Sequence, residues 1–272
     1  MNAARHAVPP PRMLWVLLSL AGCIAGARPN PASAGRLRAG AGIDYSSGDY
    51  GQNSTSEIIY VPVSLGYETG PLVLNLVVPY LSVAAESGTV SVLEADQDTV
   101  VLGPNQAVRD YREAALGDVL GTVTWMLPAR ANNTLFLDLR AKIKFPTADR
   151  ERGLGTGRTD FALELDLTRK TGPLSWLGTI GYRILGKTDE LDFNNVWYGT
   201  LGAGGQINKR IGTGLLVDFR QAALPNREDP LELTSYLACK LGPHWRLTTY
   251  AVAGLSEASP DYALGCQIGF RQ

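Results

Sequence analysis

The sequence contains few of the residues on which metal centres, disulfide frameworks and many enzyme sites depend. Its 272 residues include 3 cysteines and 2 histidines, which is little for a zinc site or a disulfide-rich fold. His6 lies near the start of the chain and His244 lies beside Pro243 in a turn-like stretch, so no histidine is placed to activate a serine. The sequence therefore predicts a protein that is not an enzyme and that holds no metal or cofactor.

A strong charge of one sign is also missing, and so is any long hydrophobic run. The chain has 25 Lys+Arg against 26 Asp+Glu and a formal net charge of -1, whereas a nucleic-acid binder carries a basic excess. Mean hydropathy is -0.03, and no run reaches the roughly 20 apolar residues of a membrane-spanning helix. Hydrophobic residues still make up 45% of the chain, which excludes a disordered protein.

Residues 1–34 have the pattern of a secretory signal peptide. Arg5 and Arg12 precede an apolar run at 13–20, and small residues follow it. Cleavage after residue 27 or after residue 34 fits ordinary signal peptidase. Cleavage between residues 22 and 23 fits a lipobox, in which Cys23 would be lipidated and become the mature N-terminus. In each case the mature chain leaves the cytoplasm.

From residue 36 onward, apolar and polar residues alternate with a period of two. In 134–145, for example, Leu135, Leu137 and Leu139 share one parity, and Asp138, Arg140 and Lys142 share the other. A strand separates two such sets onto opposite faces, whereas a helix would mix them. The pattern predicts about twelve strands of about ten residues each, the length that crosses a bilayer when tilted. They are 36–45, 58–67, 72–80, 118–127, 134–145, 160–168, 174–182, 197–207, 215–221, 231–241, 245–253 and 262–270.

The connections between these strands alternate in length. The short ones are 68–71, 129–133, 169–173, 208–213 and 242–244, and the long ones are 46–54, 82–117, 146–159, 185–195, 222–229 and 255–261. Outer-membrane barrels have short periplasmic turns and long extracellular loops. We therefore predict an all-β fold, a closed antiparallel transmembrane β-barrel of about 12 strands, over residues 35–272.

The longest loop and two prolines within strands depart from the regular barrel pattern. The long extracellular loop 82–117 is expected to contain a helical turn at 109–115, and either to constrict the lumen or to extend outward as a lid. Pro62 and Pro79 fall inside strands on the polar parity, where each removes a ladder hydrogen bond, so a bulge or gap is expected there.

Barrel size and aromatic placement indicate which face meets the lipid. A barrel of about twelve strands is too wide for side chains to fill, so the apolar face should point outward. Aromatic residues of the apolar parity gather at strand ends, as in the two girdles at headgroup depth. Beside the long loops they are Tyr45, Tyr80, Phe145, Phe161, Tyr182, Trp197, Phe219 and Tyr262, and beside the short turns Tyr67, Trp125, Trp176, Trp245 and Phe270.

The polar parity is predicted to line the pore with charges of both signs. The residues are Arg38, Asp138, Arg140, Lys142, Lys144, Asp160, Glu164, Asp166, Arg183, Asp218, Arg220, Glu232, Lys240 and Arg246. The basic run of strand 134–145 should pair with the acidic run of strand 160–168, because opposite charges stabilise neighbouring strands. Two interpretations remain open: ion pairs that only hold the barrel and fill its lumen, or a charged wall that orders water and selects permeants.

Two cysteines and a glycine-rich stretch are not expected to form functional sites. Cys239 and Cys266 fall on the apolar parity of strands separated by a third, too far apart for a disulfide at about 4.8 Å per strand. The glycine-rich stretch 153–157 lacks the Gly-Lys-Ser/Thr ending of a phosphate-binding loop, so it is expected to be a flexible hairpin loop.

Several runs resemble the family named for the MetA pathway of phenol degradation. They are Lys142 to Asp149, Gly153 to Asp160, Tyr60 to Leu65, Val78-Pro79-Tyr80 and Gly117-Asp118. The resemblance covers roughly residues 37–270 and implies an outer-membrane barrel that transports small organic molecules. It supplies no catalytic or binding residues. Such barrels often end on an aromatic residue, whereas here Arg271 and Gln272 follow Phe270.

Together these observations predict a porin-like channel in the outer membrane of a Gram-negative bacterium. It would pass small organic solutes, hydrophobic or aromatic ones included, by passive diffusion. The alternative is a sealed structural or surface-interaction barrel with no transport. The expected partners are membrane lipids, a small-molecule permeant and the outer-membrane assembly machinery, with no nucleic acid.

Overall fold

The computed structural model describes residues 35–51, 55–85, 111–128, 134–188 and 192–272. The predicted signal peptide with Cys23 lies outside these residues, and so does the connection between Ala85 and Tyr111. The described residues form β-strands and contain no helix. A helix long and apolar enough to cross a membrane is therefore also absent from them.

The described residues form thirteen strands, which follow one another in chain order. They are β1 (Arg36–Gly48), β2 (Ser56–Thr69), β3 (Leu72–Ala85), β4 (Tyr111–Leu116), β5 (Val119–Met126), β6 (Leu135–Phe145), β7 (Asp160–Thr171), β8 (Leu174–Ile184), β9 (Val196–Gln206), β10 (Ile211–Arg220), β11 (Leu231–Lys240), β12 (Trp245–Gly254) and β13 (Tyr262–Arg271). The connections alternate between short and long, as predicted. The short connections lie at one end of the barrel, called here the short-turn rim. The long connections lie at the other end, called here the long-loop rim.

The strands close into one antiparallel barrel. Apart from β4 and β5, each strand pairs with its neighbour along the chain. The last strand returns to the first, from Arg38 opposite Arg271 to Ser47 opposite Tyr262. Strands β4 and β5 pair in succession with β3 and so occupy one position. The barrel therefore has twelve positions, which confirms the predicted fold.

Both prolines interrupt a ladder, as predicted. The β1–β2 register skips the two pairs between Ala41 opposite Val63 and Asp44 opposite Tyr60, which is where Pro62 lies. Beside Pro79 the register of β3 shifts by one residue between its β4 and β5 partners. The Gly117 amide donates to the Pro79 carbonyl at 2.9 Å within this bulge. A proline has no N–H to donate, so the neighbouring strand bends around it.

The connection after β3 begins later and ends earlier than predicted. Strand β3 continues through Ala85, and its last residues pair with β4. The helical turn expected at 109–115 is wrong for Tyr111 to Ala115, which lie in β4. The long β3 offers backbone groups beyond the bulge, and pairing with them outweighs a local helical preference. The rest of the connection, 86–110, lies outside the described residues.

The apolar parity faces outward and the polar parity faces inward. Leu65 and Leu201 on the outer face are 65% and 64% exposed, whereas Arg183 on the inner face is 1% exposed. Aromatic side chains lie exposed at both ends of the outer face, with Trp176 near the short-turn rim and Trp197 near the long-loop rim. The predicted orientation and the two girdles are therefore confirmed.

Candidate functional site: the inner face of the barrel

The fourteen predicted pore residues all lie on the inward parity of their strands. Ten are buried: Asp138, Arg140, Lys142, Lys144, Asp160, Glu164, Asp166, Arg183, Arg220 and Glu232. Arg38, Asp218, Lys240 and Arg246 are half-buried. Strand alternation alone delivers these charges to the inner face, because every second side chain points the same way. Their role in lining a pore remains a prediction.

A ladder of ion pairs joins β6 to β7. Lys144 Nζ lies 2.8 Å from Asp160 Oδ2, and Lys142 Nζ lies 2.6 Å from Glu164 Oε1. Arg140 contacts Glu164 and Asp166, each at 2.7 Å. The predicted complementarity of these strands is confirmed. Charges removed from water in this way depend on each other, since losing one partner leaves the other buried and unpaired.

The strand register arranges carboxylates in a row around the barrel. Successive opposite residues are Asp138, Asp166, Thr179, Thr200, Asp218 and Glu232. The two threonine hydroxyls donate to the carboxylates, Thr179 to Asp166 at 2.6 Å and Thr200 to Asp218 at 2.5 Å. The next row toward the long-loop rim includes Arg140 and Arg220. The inner face thus carries an acidic band beneath a row that includes two arginines.

Tyrosines lie flat across neighbouring glycines on the inner face. Tyr198 covers Gly181, where an added Cβ would lie 2.8 Å from the Tyr198 hydroxyl oxygen. That hydroxyl donates to Glu164 at 2.6 Å, and the Arg183 guanidinium carbon lies 5.1 Å from the ring centroid. Sequence reasoning missed this residue. The available signal was a tyrosine on the polar parity together with glycines on the same parity of nearby strands.

A second group of inward residues is apolar. Leu177, Leu216, Tyr236, Ala238 and Tyr250 form a buried cluster on β8 and β10 to β12, called here the lumen cluster. Tyr250 donates its hydroxyl to Asp44, which lies across β13 on β1. Among the described residues, the buried Tyr236 hydroxyl has no hydrogen-bond partner. The inner face is therefore part charged and part apolar.

The loop between β6 and β7 folds into the barrel mouth. Leu154 is fully buried in an apolar cluster, called here the mouth cluster. Its members are Tyr50, Ile58, Tyr60, Leu81, Val83, Ala85, Ala148 and Leu154. Five of these residues are inward residues of β2 and β3 near the long-loop rim: Ile58, Tyr60, Leu81, Val83 and Ala85.

Polar contacts hold this loop in place. Asp118 Oδ1 accepts a hydrogen bond from the Ala148 amide at 2.9 Å. Lys144 Nζ donates to Thr156 at 3.2 Å, and Arg152 pairs with Glu113 at 2.6 Å. The stretch 153–157 thus lies in the hairpin loop between β6 and β7, as expected, and it packs against the barrel wall. Its flexibility stays a prediction.

The remaining candidates lie away from the inner face or in turns. Cys239 and Cys266 are free, and β12 separates their strands. His244 lies exposed in the turn before β12, with Nδ1 2.9 Å from the Arg271 carbonyl oxygen. Within the described ranges, no group of three or more His, Cys, Asp or Glu residues is arranged to hold a metal ion.

Comparison with known proteins shows similarity of fold. No protein-family model matches the chain, and no curated protein matches it. An outer-membrane channel from Pseudomonas putida F1 superposes with a TM-score of 0.65 at 14% identity, covering 88% of this chain and 96% of that chain. The NanC porin superposes with a TM-score of 0.52 at 11% identity, covering 86% and 98%.

These likenesses and the apolar outer face together define the setting of the protein. It has the fold of a bacterial outer-membrane β-barrel, and an exposed apolar belt between two aromatic girdles is stable only in a bilayer. This places the chain in a bacterial outer membrane. Membership of the MetA-pathway family stays a prediction.

Proposed function

We propose that the protein is an outer-membrane channel through which small organic solutes pass by passive diffusion. The observation that carries this proposal is the inner face, which bears charges of both signs from Lys144 near one rim to Arg246 near the other. Buried charges cost free energy unless water or partners surround them. Apolar side chains could fill a narrower barrel at lower cost, but a barrel of twelve positions is too wide to be filled in that way.

The width of the barrel supports a path for solutes. Side chains fill the interior when about eight strands close, and wider barrels leave space for water or ligands. With twelve positions, this barrel is wider than that limit. The two solved structures it resembles in fold are named as a channel and a porin.

The mouth cluster restricts the size of the solute. The β6–β7 loop lies across the inward residues of β2 and β3, so a solute entering from the long-loop rim must pass beside it. Past the mouth cluster, the ion pairs of the inner face offer a solute many weak polar contacts. A solute moves on through the bore because no single contact binds it tightly. Small organic solutes with polar and apolar parts, hydrophobic and aromatic ones included, suit such a wall.

A sealed barrel with a structural role is the second candidate. It is favoured by the mutual pairing of the buried charges between β6 and β7, and by the apolar contacts that the mouth loop makes. In that case the ion pairs would replace water instead of ordering it.

Single-channel recording in planar bilayers separates the two candidates. The wild-type protein should give steady conductance, and Leu154→Asp should increase it, because a carboxylate in the apolar mouth cluster expels the loop. Glu151→Gln is the matched control, since this side chain is exposed on the same loop. It should leave the conductance unchanged. No current from either wild type or Leu154→Asp would overturn the channel and support the sealed barrel.

Passive diffusion is tested in liposomes without an energy source. Swelling rates should rise in proportion to the solute gradient and fall with solute size. A rate that saturates at low gradient would contradict free diffusion.

A further inference from the structure

A groove lies at the long-loop rim, between the β8–β9 connection and the β10–β11 connection. Its volume is about 530 Å³, within the roughly 300–1,000 Å³ of pockets that hold small organic ligands. Asn194 and Asn195 line it from the first connection, and Gln221, Asn226 and Asp229 line it from the second. These five residues are exposed to solvent. The groove, called here the rim groove, is therefore open to a ligand.

Apolar packing and backbone contacts fix the two connections that form the rim groove. Both contribute to one buried cluster, which consists of Leu185, Phe193, Val196 and Ala223. Leu224 lines the groove and packs against this cluster. Further along the β10–β11 connection, Arg227 Nη1 donates to the Gly51 carbonyl at 2.6 Å, which ties this connection to the one between β1 and β2. The groove is thus formed before a ligand arrives, which lowers the cost of binding.

Backbone amides hold three of the lining side chains by one oxygen each. Gln221 Oε1 accepts a hydrogen bond from the Trp197 amide at 2.9 Å. In the same way Asn195 Oδ1 and Asp229 Oδ1 accept from backbone amides at 3.2 and 2.7 Å. Within the described ranges, the remaining polar atoms of these three side chains make no hydrogen bond. Each side chain is therefore fixed and still has a polar atom to offer a ligand.

The chemistry of the lining indicates the class of ligand. Among the described residues that line the groove, Asp229 is the one carboxylate and Arg227 the one cation. A metal ion would need several carboxylates, and a ligand dominated by phosphates would need several cations. An apolar solute would leave the polar atoms of the groove without partners. The four side-chain amides can each donate and accept, as the hydroxyls of a sugar do, so the lining matches a ligand rich in hydroxyl groups.

An aromatic pair places the groove at the depth of the lipid headgroups. Tyr182 lines the groove, and its ring centroid lies 4.8 Å from that of Trp197 on the outer face. Both rings belong to the aromatic girdle at the long-loop rim, and girdle rings lie where acyl chains meet headgroups. The long loops of such barrels are extracellular. The groove therefore faces the headgroups of the outer leaflet, which in a bacterial outer membrane are the sugars of lipopolysaccharide.

We propose that the rim groove binds a sugar of the lipopolysaccharide that surrounds the barrel. The C–H face of the sugar ring packs on Tyr182, and its hydroxyls exchange hydrogen bonds with the side chains of Gln221 and Asp229. Arg227 attracts an anionic substituent of the same headgroup. The acyl chains of the bound molecule lie against the apolar outer face next to the groove. This site does not depend on whether the barrel conducts.

Binding of rough lipopolysaccharide, which consists of lipid A and core sugars, tests the groove. The full-length protein is refolded from urea into detergent, so that it carries no lipopolysaccharide, and bound copies are counted by native mass spectrometry during a titration. Asn194→Ala/Asn226→Gly removes two amides that make no side-chain hydrogen bond within the described residues. Glycine tolerates the left-handed backbone at position 226, where φ is 61°. This groove variant should bind lipopolysaccharide at least tenfold more weakly than the wild type.

A matched variant and two further probes identify what the groove recognises. Thr55→Ala/Thr159→Ala removes two polar side chains from the same rim outside the groove, and it should bind lipopolysaccharide as the wild type does. Dioleoyl phosphatidic acid has a negative charge and acyl chains but no sugar, so it should bind equally to all three proteins. Core oligosaccharide released from the same lipopolysaccharide has the sugars without the acyl chains. It should bind to the wild type at least tenfold more weakly than the intact molecule.

Three results would overturn the site. They are equal lipopolysaccharide binding by the wild type and the groove variant, a loss in the groove variant that also appears with phosphatidic acid, and free oligosaccharide that binds as tightly as lipopolysaccharide. The last result would make the groove a site for soluble glycans. Folding is checked by the heat-dependent gel mobility of barrels, and Asn194→Ala alone serves if the double variant fails to fold. Groove-dependent binding in a protein that passes no current would overturn the channel and retain the site.

Discussion

Arg271 donates hydrogen bonds from Nη2 to both oxygens of Glu68, at 2.9 and 3.1 Å, across 203 residues of sequence. Glu68 is buried and also pairs with Arg38. Because Arg271 lies on β13, Arg38 on β1 and Glu68 on β2, one carboxylate ties together the strands at the seam. The residues that follow Phe270 therefore belong to the closure of the barrel.

Replacing Arg271 should weaken that seam. Arg271→Gln removes one of two cations from a buried carboxylate, and charge-assisted hydrogen bonds of this kind contribute about 1–3 kcal/mol. Urea unfolding in lipid vesicles, followed by tryptophan fluorescence, should show a lower midpoint. The exposed Gln272→Ala is the control and should leave the midpoint unchanged. Equal midpoints for the two variants would mean that backbone pairing alone closes the barrel.

Gly181 should tolerate no side chain. The Cβ of Gly181→Ala would lie 2.8 Å from Cε2 of Tyr198, so the ring must move and release its hydrogen bond to Glu164. Overpacking of this kind costs about 1–3 kcal/mol. Unfolding midpoints are compared with Gly178→Ala on the outer face of the same strand, where the new Cβ meets Leu201 at an ordinary 3.6 Å.

A second substitution tests whether Gly181→Ala lowers stability by breaking the hydrogen bond from Tyr198 to Glu164. If it does, Gly181→Ala and Tyr198→Phe should be less than additive when combined, because both remove the same contact. Full additivity would contradict the coupling between Gly181 and the Tyr198 hydroxyl.

Removing Lys144 should be among the most damaging changes on the inner face. Its ammonium lies 3.1 Å from Asp118 and 2.8 Å from Asp160, and all three side chains are buried. Lys144→Met keeps most of the volume but leaves two buried carboxylates unpaired, at a cost of about 3–5 kcal/mol. The same unfolding measurement should show partial recovery when Asp160→Asn is added.

A surface pair provides the comparison for Lys144. Lys187 and Asp192 lie 3.2 Å apart with side chains 72% and 80% exposed. Water screens such a pair, so Lys187→Met should leave the unfolding midpoint almost unchanged. Similar losses for both lysines would show that burial does not control the strength of these ion pairs.

Lipids with brominated acyl chains should quench the fluorescence of tryptophans on the outer face. Trp176 is about half exposed on the outer face, whereas Phe136 is buried on the inner face of β6. In a background with every other tryptophan replaced by phenylalanine, Trp176 should be strongly quenched by brominated acyl chains. Phe136→Trp in the same background without Trp176 should not be. The reverse pattern would mean that the apolar face points inward.

Local sequence determined the strands and their two faces. Alternation along 134–145 and 160–168, aromatic residues such as Trp176 at strand ends, and the ladder-breaking Pro62 and Pro79 can all be read along a single stretch of chain. The period of two is a property of each strand by itself. Barrel closure then follows from the number of strands and from the alternation of short and long connections.

Only the tertiary structure decided which residues stand opposite each other. Strand register depends on how the side chains of neighbouring strands and the turns between them fit together. If a strand slips by one residue, all its side chains move to the opposite face of the sheet. The acidic row through Asp166 and Asp218, and the basic pair of Lys240 and Arg246, could not be derived without it. The inward fold of Leu154 and the pairing of β4 with β3 likewise depend on distant residues. Alternation assigns a side chain to a face, and contact between strands assigns its partner.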